Sequence, residues 1–111
     1  MAVRRTALPL QLWGMHWPEP YLTLYNASVL AVKAVHPSLW VGGPATAGLE
    51  DIADFVQRTR QMGLPTDFVS THHYPSDPSC PSGAAWDPDC FANDVLKARA
   101  AVPNHPFYLT E

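Results

Sequence analysis

Across 111 residues, stretches with helical periodicity alternate with short apolar runs, and that alternation limits the possible folds more than any other property of the chain. Tyr21, Leu24, Tyr25, Ser28, Val32 and Val35 recur at helical spacing. They predict a helix that opens near Pro18, where a missing N–H costs nothing. It closes at His36-Pro37, because the residue before a proline avoids the α region. The apolar run Leu39-Trp40-Val41, ended by Gly42-Gly43-Pro44, is too short for a helix and reads as a buried strand. A second helix carries Leu49, Ile52, Phe55, Val56, Thr59 and Met62 on one face. Glu50 and Asp51 fall in its first turn and Arg58 and Arg60 in its last, as the helix dipole favours, with Gly63 as its stop. Asp67 to His72 reads as a second strand. A loop rich in Pro, Ser, Gly and Asp runs from Ser76 to Phe91, and a third helix from about Ala92 to Val102 presents Val95, Leu96, Arg99 and Val102. Pro103-Asn104-His105-Pro106 breaks that helix, and Phe107 to Thr110 form a third strand that runs into Glu111.

The order α-β-α-β-α-β predicts an α/β fold with parallel strands joined by right-handed crossovers. Such a piece is either a small open sheet or a slice of a barrel; a complete (β/α)₈ barrel needs roughly 200 residues or more. Two features favour the slice: polar residues gather at the C-terminal ends of the strands, and the last strand ends directly on a carboxylate. Charged residues make up 15% of the chain, well under the usual ~25%. Low charge in so short a chain suggests a surface meant to be covered, by a partner or by more of the same fold. A chain 47% hydrophobic does not have the composition of a disordered one. Seven scattered Lys and Arg residues and a net charge of −3 form no basic stripe for a nucleic acid. No run approaches the ~20 apolar residues of a membrane span, and the start, MAVRRTALPL, has no signal-peptide core.

Glu111 is the first candidate for chemistry, since a carboxylate closing an apolar strand is where a barrel enzyme places a nucleophile or base; a charged residue at a frayed end is the plain alternative. His72, His73 and Tyr74 follow the second strand, where imidazole and phenol can orient a carboxylate or bind sugar hydroxyls, or serve as hydrogen-bonded loop residues. A zinc site needs three or four ligands at suitable spacing, so no metal is expected. Trp40, in an apolar run, is expected in the core, whereas Trp13, Trp17 and Trp86 lie in loops and are better placed to stack on a ligand. Cys80 and Cys90 bracket the long loop; a disulfide would staple it and imply an oxidising compartment, and two free thiols are the alternative. Asn26-Ala27-Ser28 is a glycosylation triplet inside a predicted helix, a weak signal.

Several segments gain meaning together. Trp13 and Tyr21-Leu22-Thr23-Leu24-Tyr25 precede Ala31-Val32-Lys33-Ala34-Val35, Pro37-Ser38-Leu39 and Val41-Gly42-Gly43-Pro44-Ala45. Asp67-Phe68-Val69-Ser70-Thr71-His72-His73-Tyr74-Pro75 and Tyr108-Leu109-Thr110-Glu111 follow. In order and spacing they resemble glycoside hydrolase family 39, the β-xylosidases and α-L-iduronidases, from about Leu12 to Glu111, and Thr-His-x-Tyr-Pro is nearer the β-xylosidase branch. The resemblance implies a (β/α)₈ TIM barrel and a retaining mechanism, with an acid/base Glu after strand four and a nucleophile Glu after strand seven. The helix at Tyr21–Val35 then corresponds to helix four and the three strands to strands five, six and seven. Glu111 corresponds to the catalytic nucleophile, and His72 and Tyr74 to residues that bind the sugar.

The family's acid/base lies in a Trp-Asn-Glu-Pro motif shortly before the position of Trp13, and residues 1–11 hold no such motif. Glu19, in Trp-Pro-Glu-Pro, lies too far along the chain to replace it. The expectation is therefore a non-matching segment at 1–11 and, at 12–111, a fragment of a glycosidase domain running from helix four to strand seven, incomplete and inactive by itself. The implied partner is a xyloside-like carbohydrate. No cofactor, nucleic acid or membrane is implied, and open sheet edges invite self-association. The rival expectations are a non-catalytic carbohydrate-binding remnant and a structural α/β piece completed by a partner.

Overall fold

A computed structural model describes residues 18–77, 79 and 87–110. Helix α1 spans Glu19–Val35 with Pro20 in its first turn, and ends where His36 turns extended and its N–H reaches the Val32 carbonyl at 3.2 Å. Its buried stripe is Tyr21, Leu22, Tyr25 and Val29, so the stripe is rotated from the predicted one and Val35 is exposed. The rotation follows from the neighbour: Phe55 meets Tyr25 edge to face at 5.0 Å and Tyr21 at 6.1 Å. This geometry suits the quadrupoles of the rings.

The first strand lies later than predicted. Strand β1 is Gly42–Thr46, every residue of it buried, whereas Leu39 and Trp40 are exposed and Trp40 does not join the core. Lys33 explains the shift. Its Nζ donates to the carbonyls of Pro37 at 3.2 Å and Leu39 at 2.7 Å, and to Asp67 Oδ2 at 2.7 Å. The same Asp67 oxygen accepts the Val41 N–H at 2.7 Å, so the connection is held against the next strand only from Val41 onward. Gly42 has to be glycine, because a Cβ there would collide with the Phe68 carbonyl oxygen. The Gly43–Pro44 peptide is cis, and a bulge with Ala45 at φ 55° interrupts the register before Thr46.

A single 3₁₀ turn, Ala47–Leu49, leads to helix α2 at Ile52–Gln61. Asp51 caps it with φ 62°, so Glu50 and Asp51 precede the helix, and Asp54 is the acid of the first turn. Ile52, Phe55 and Thr59 are buried, while Met62 is exposed. Gly63 adopts φ 68°, the left-handed conformation that ends many helices. Strand β2 is Phe68–Thr71, helix α3 Pro88–Ala101 and strand β3 Phe107–Leu109. Helix α3 starts a turn earlier than predicted, because Asp87 Oδ1 accepts the N–H groups of Asp89 and Cys90 at 3.1 Å each and Pro88 fits the first turn. Its buried side is centred on Ala98 and continues to Val102, which leaves Leu96 exposed.

The three strands form one parallel sheet in the order β1-β2-β3, with Gly43 opposite Val69 and Val69 opposite Phe107. Val69 joins Val41, Phe55 and the tyrosines of α1 in the main core. Because side chains alternate along a strand, Phe68 and Ser70 face the other way. There Phe68 meets Tyr108 edge to face at 5.4 Å.

Candidate active site

The parallel strands all deliver their C-terminal ends to one rim, and the polar residues stand there. Thr71 Oγ1 donates to the Thr46 carbonyl at 2.7 Å, and the His72 N–H donates to the same carbonyl at 2.9 Å. The His72 carbonyl accepts the Leu49 N–H at 3.2 Å. His72 is thus fixed at the backbone before its side chain is considered, and it is almost fully buried.

The imidazole is fixed by its neighbour across the sheet. Thr110 Oγ1 lies 3.0 Å from the Thr71 carbonyl and 2.9 Å from His72 Nδ1. A carbonyl only accepts, so the hydroxyl proton goes to Thr71 and Oγ1 accepts from Nδ1–H of the ring. The Thr110 N–H also donates to the Thr71 carbonyl at 2.9 Å. The end of β2 and the end of β3 are therefore tied by three hydrogen bonds at the residue just before Glu111. Glu111 itself lies outside the described residues, as do Trp13, Trp17, Trp86 and Cys80.

Tyr74 is 41% exposed. Its backbone is held by Asp77, whose Oδ2 accepts the Tyr74 N–H at 3.1 Å and whose N–H donates to the Tyr74 carbonyl at 3.0 Å. His73 points away from the rim. Its fully buried ring stacks on Phe91 at 5.1 Å and 7°, with Nδ1 at 3.0 Å from Asp77 Oδ2 and Nε2 at 3.4 Å from Asp94 Oδ2. Cys90, one residue before Phe91, is disulfide-bonded. Thr110, Asp77 and Asp94 are contributions that reading along the chain missed. The Thr-Glu pair at the end of an apolar strand is the one signal that could have pointed to Thr110.

Two grooves of about 510 and 440 Å³ lie between α2 and α3, and neither is lined by His72 or Tyr74. Of the three acids that line the larger groove, Asp54 is engaged by Arg58 at 2.9 Å and Asp94 by Ser79 at 2.8 Å. Among the described residues no group of three or more His, Cys, Asp or Glu side chains could hold a metal ion. No helix described is long and apolar enough to cross a membrane.

The pattern that defines glycosyl hydrolases family 39 matches residues 12–111. The chain belongs to this family. A β-xylosidase from Caldicellulosiruptor saccharolyticus is 44% identical over 62 residues, 53% of this chain and 12% of the relative. A second, from Geobacillus stearothermophilus, is 45% identical over 69 residues, 60% of this chain and 14% of the relative. A solved monomeric β-xylosidase from Caulobacter crescentus CB15 superposes with a TM-score of 0.70 at 35% identity, covering 82% of this chain and 21% of that one. The family 39 enzyme of Xanthomonas axonopodis pv. citri gives 0.71 at 34% identity, covering 83% and 21%. The chain therefore spans about an eighth of the length of the curated relatives and about a fifth of the solved ones. Membership of family 39 implies a TIM-barrel fold, and a parallel sheet whose strands alternate with helices agrees with it.

Proposed function

We propose that residues 12–111 supply helix four to strand seven of a retaining, β-xylosidase-like barrel, with residues 1–11 outside it, and that they carry one of its two catalytic carboxylates. Strands β1, β2 and β3 take the places of strands five, six and seven. Glu111 is the nucleophile that attacks the anomeric carbon and forms the covalent glycosyl intermediate. His72 and Tyr74 bind the sugar beside it. The observation that carries the reading is the His72–Thr110 hydrogen bond of 2.9 Å, which ties the histidine to the residue that precedes Glu111.

The reaction needs a second carboxyl group about 5–5.5 Å from the first, to protonate the leaving oxygen and then to activate water. Glu19 does not serve: it opens α1, and its carboxylate stands on an exposed surface 3.9 Å from Arg58. The acid/base is supplied by strand four of the complete barrel, and the open edges of β1 and β3 are where further strands, or a second copy, pair. Without them the chain is inactive. Cys80 is the partner of Cys90 and staples the loop that follows Tyr74.

An activated 2-deoxy-2-fluoro-xyloside tests the assignment, because the fluorine slows hydrolysis of the glycosyl intermediate and lets it accumulate. In the complete protein that carries this chain, peptide mass spectrometry is expected to find the sugar on Glu111. Glu111→Gln should abolish labelling and lower kcat on the order of 10⁴-fold or more. A label on any other carboxylate assigns the nucleophile elsewhere and overturns the proposal.

A further inference from the structure

We infer that His73, which takes no part in the site proposed above, is a positioning residue that sets where Tyr74 stands. The inference rests on that proposal for the meaning of Tyr74, and on geometry for everything else. His73 is the middle residue of His72-His73-Tyr74, and its side chain alone of the three is turned fully inward, with no exposed surface. A buried imidazole costs free energy unless its polar atoms are met. Here Nδ1 lies 3.0 Å from Asp77 Oδ2, and a carboxylate only accepts, so Nδ1–H is the donor. That oxygen also accepts the Tyr74 N–H at 3.1 Å, and the Asp77 N–H donates to the Tyr74 carbonyl at 3.0 Å. Asp77 therefore grips both sides of the Tyr74 backbone, and His73 holds Asp77 in place.

The ring is in turn anchored on α3. It lies flat on Phe91, 5.1 Å away at 7°, while its Nε2, 3.4 Å from Asp94 Oδ2, makes no hydrogen bond. Asp94 also accepts from Ser79 Oγ at 2.8 Å, which fastens a further point of the same loop to the helix. The chain of contacts runs from α3 through His73 and Asp77 to the backbone of a tyrosine that is itself 41% exposed. Through Asp77, the buried ring thus helps to set the position of the Tyr74 backbone.

Two substitutions in the complete protein separate the two ends of the ring. His73→Asn keeps a donor near the Nδ1 position and therefore the bond to Asp77. His73→Gln places its amide near the Nε2 position, keeps the reach to Asp94 and loses Asp77. Backbone exchange across residues 72–77 is expected to stay slow in His73→Asn and to speed up about tenfold in His73→Gln, the loss of one hydrogen bond to a charged group. For an aryl β-xyloside, KM should rise about tenfold in His73→Gln with kcat within about threefold, and stay near wild type in His73→Asn. Equal exchange in the two variants, or kcat and KM unchanged in His73→Gln despite faster exchange, overturns the positioning role. Failure of the glycosidase reading gives a different result: the unsubstituted protein then neither binds nor cleaves the xyloside, and the exchange comparison alone decides on His73.

Discussion

Lys33 and Asp67 fix the place where the first strand can start. Burial acts to raise the Asp67 pKa, but the hydrogen bonds from Lys33 and from the Val41 N–H, together with the Lys33 charge, outweigh it and hold the carboxyl below its ordinary 3.8. A group whose pKa is depressed by folding stabilises the fold above its unfolded value, and that stabilisation is lost as the pH falls through the folded value. The thermal midpoint of the complete protein should therefore fall as the pH drops below about 4. Asp67→Asn should lower the midpoint at neutral pH by an amount equivalent to about 1–2 kcal/mol and flatten the acid limb. A variant with the wild-type midpoint at neutral pH contradicts this role for Asp67. At the rim the same logic of shared acceptors applies, with the Thr46 and Thr71 carbonyls each receiving two donors and thereby fixing His72 beside Thr110. His72 and Tyr74 were legible as candidates because they follow an apolar strand. Thr110 and Asp94 were not, because their contacts join different elements, and Asp77, four residues after His73, lies in a loop with no periodic signal.

Each helix owes its place to one or two side chains. Phe55 is fully buried between Tyr21 and Tyr25 and joins α2 to α1, so Phe55→Ala should cost about 3–5 kcal/mol in urea unfolding. Leu96→Ala, on the exposed side of α3, should stay within about 0.5 kcal/mol. Comparable losses at the two positions would mean that the core is misplaced. The helices and β2 were readable along the chain, since proline, glycine and apolar spacing mark them. Strand β1 was not, because Gly42-Gly43-Pro44-Ala45-Thr46 lacks the large apolar residues that signal a strand and is buried for its smallness. The start of α3 was hidden by its surroundings, although Asp87-Pro88 carries the cap and the first-turn proline.

At the scale of the molecule, helices cover one face of a parallel sheet, and Phe68 and Tyr108 meet on the other. Among the described residues β1 and β3 each pair on one side only, whereas parallel sheets are ordinarily covered on both faces. In the proposed barrel, closure would pair both edges and set the rim of His72 and Tyr74 opposite further strands, which would supply the second carboxylate. On the proposed reading this chain carries one of the two carboxylates of a retaining glycosidase, and the other lies elsewhere in the barrel. General acid assistance is typically worth about 10²–10⁴-fold, and the covalent intermediate also needs a base for its hydrolysis. The most direct measurement is turnover of an aryl β-xyloside, whose leaving group needs little protonation, by these 111 residues alone. Release of the phenol no faster than in buffer is expected, and turnover well above buffer that disappears in Glu111→Gln would mean that the second carboxyl group lies within these residues.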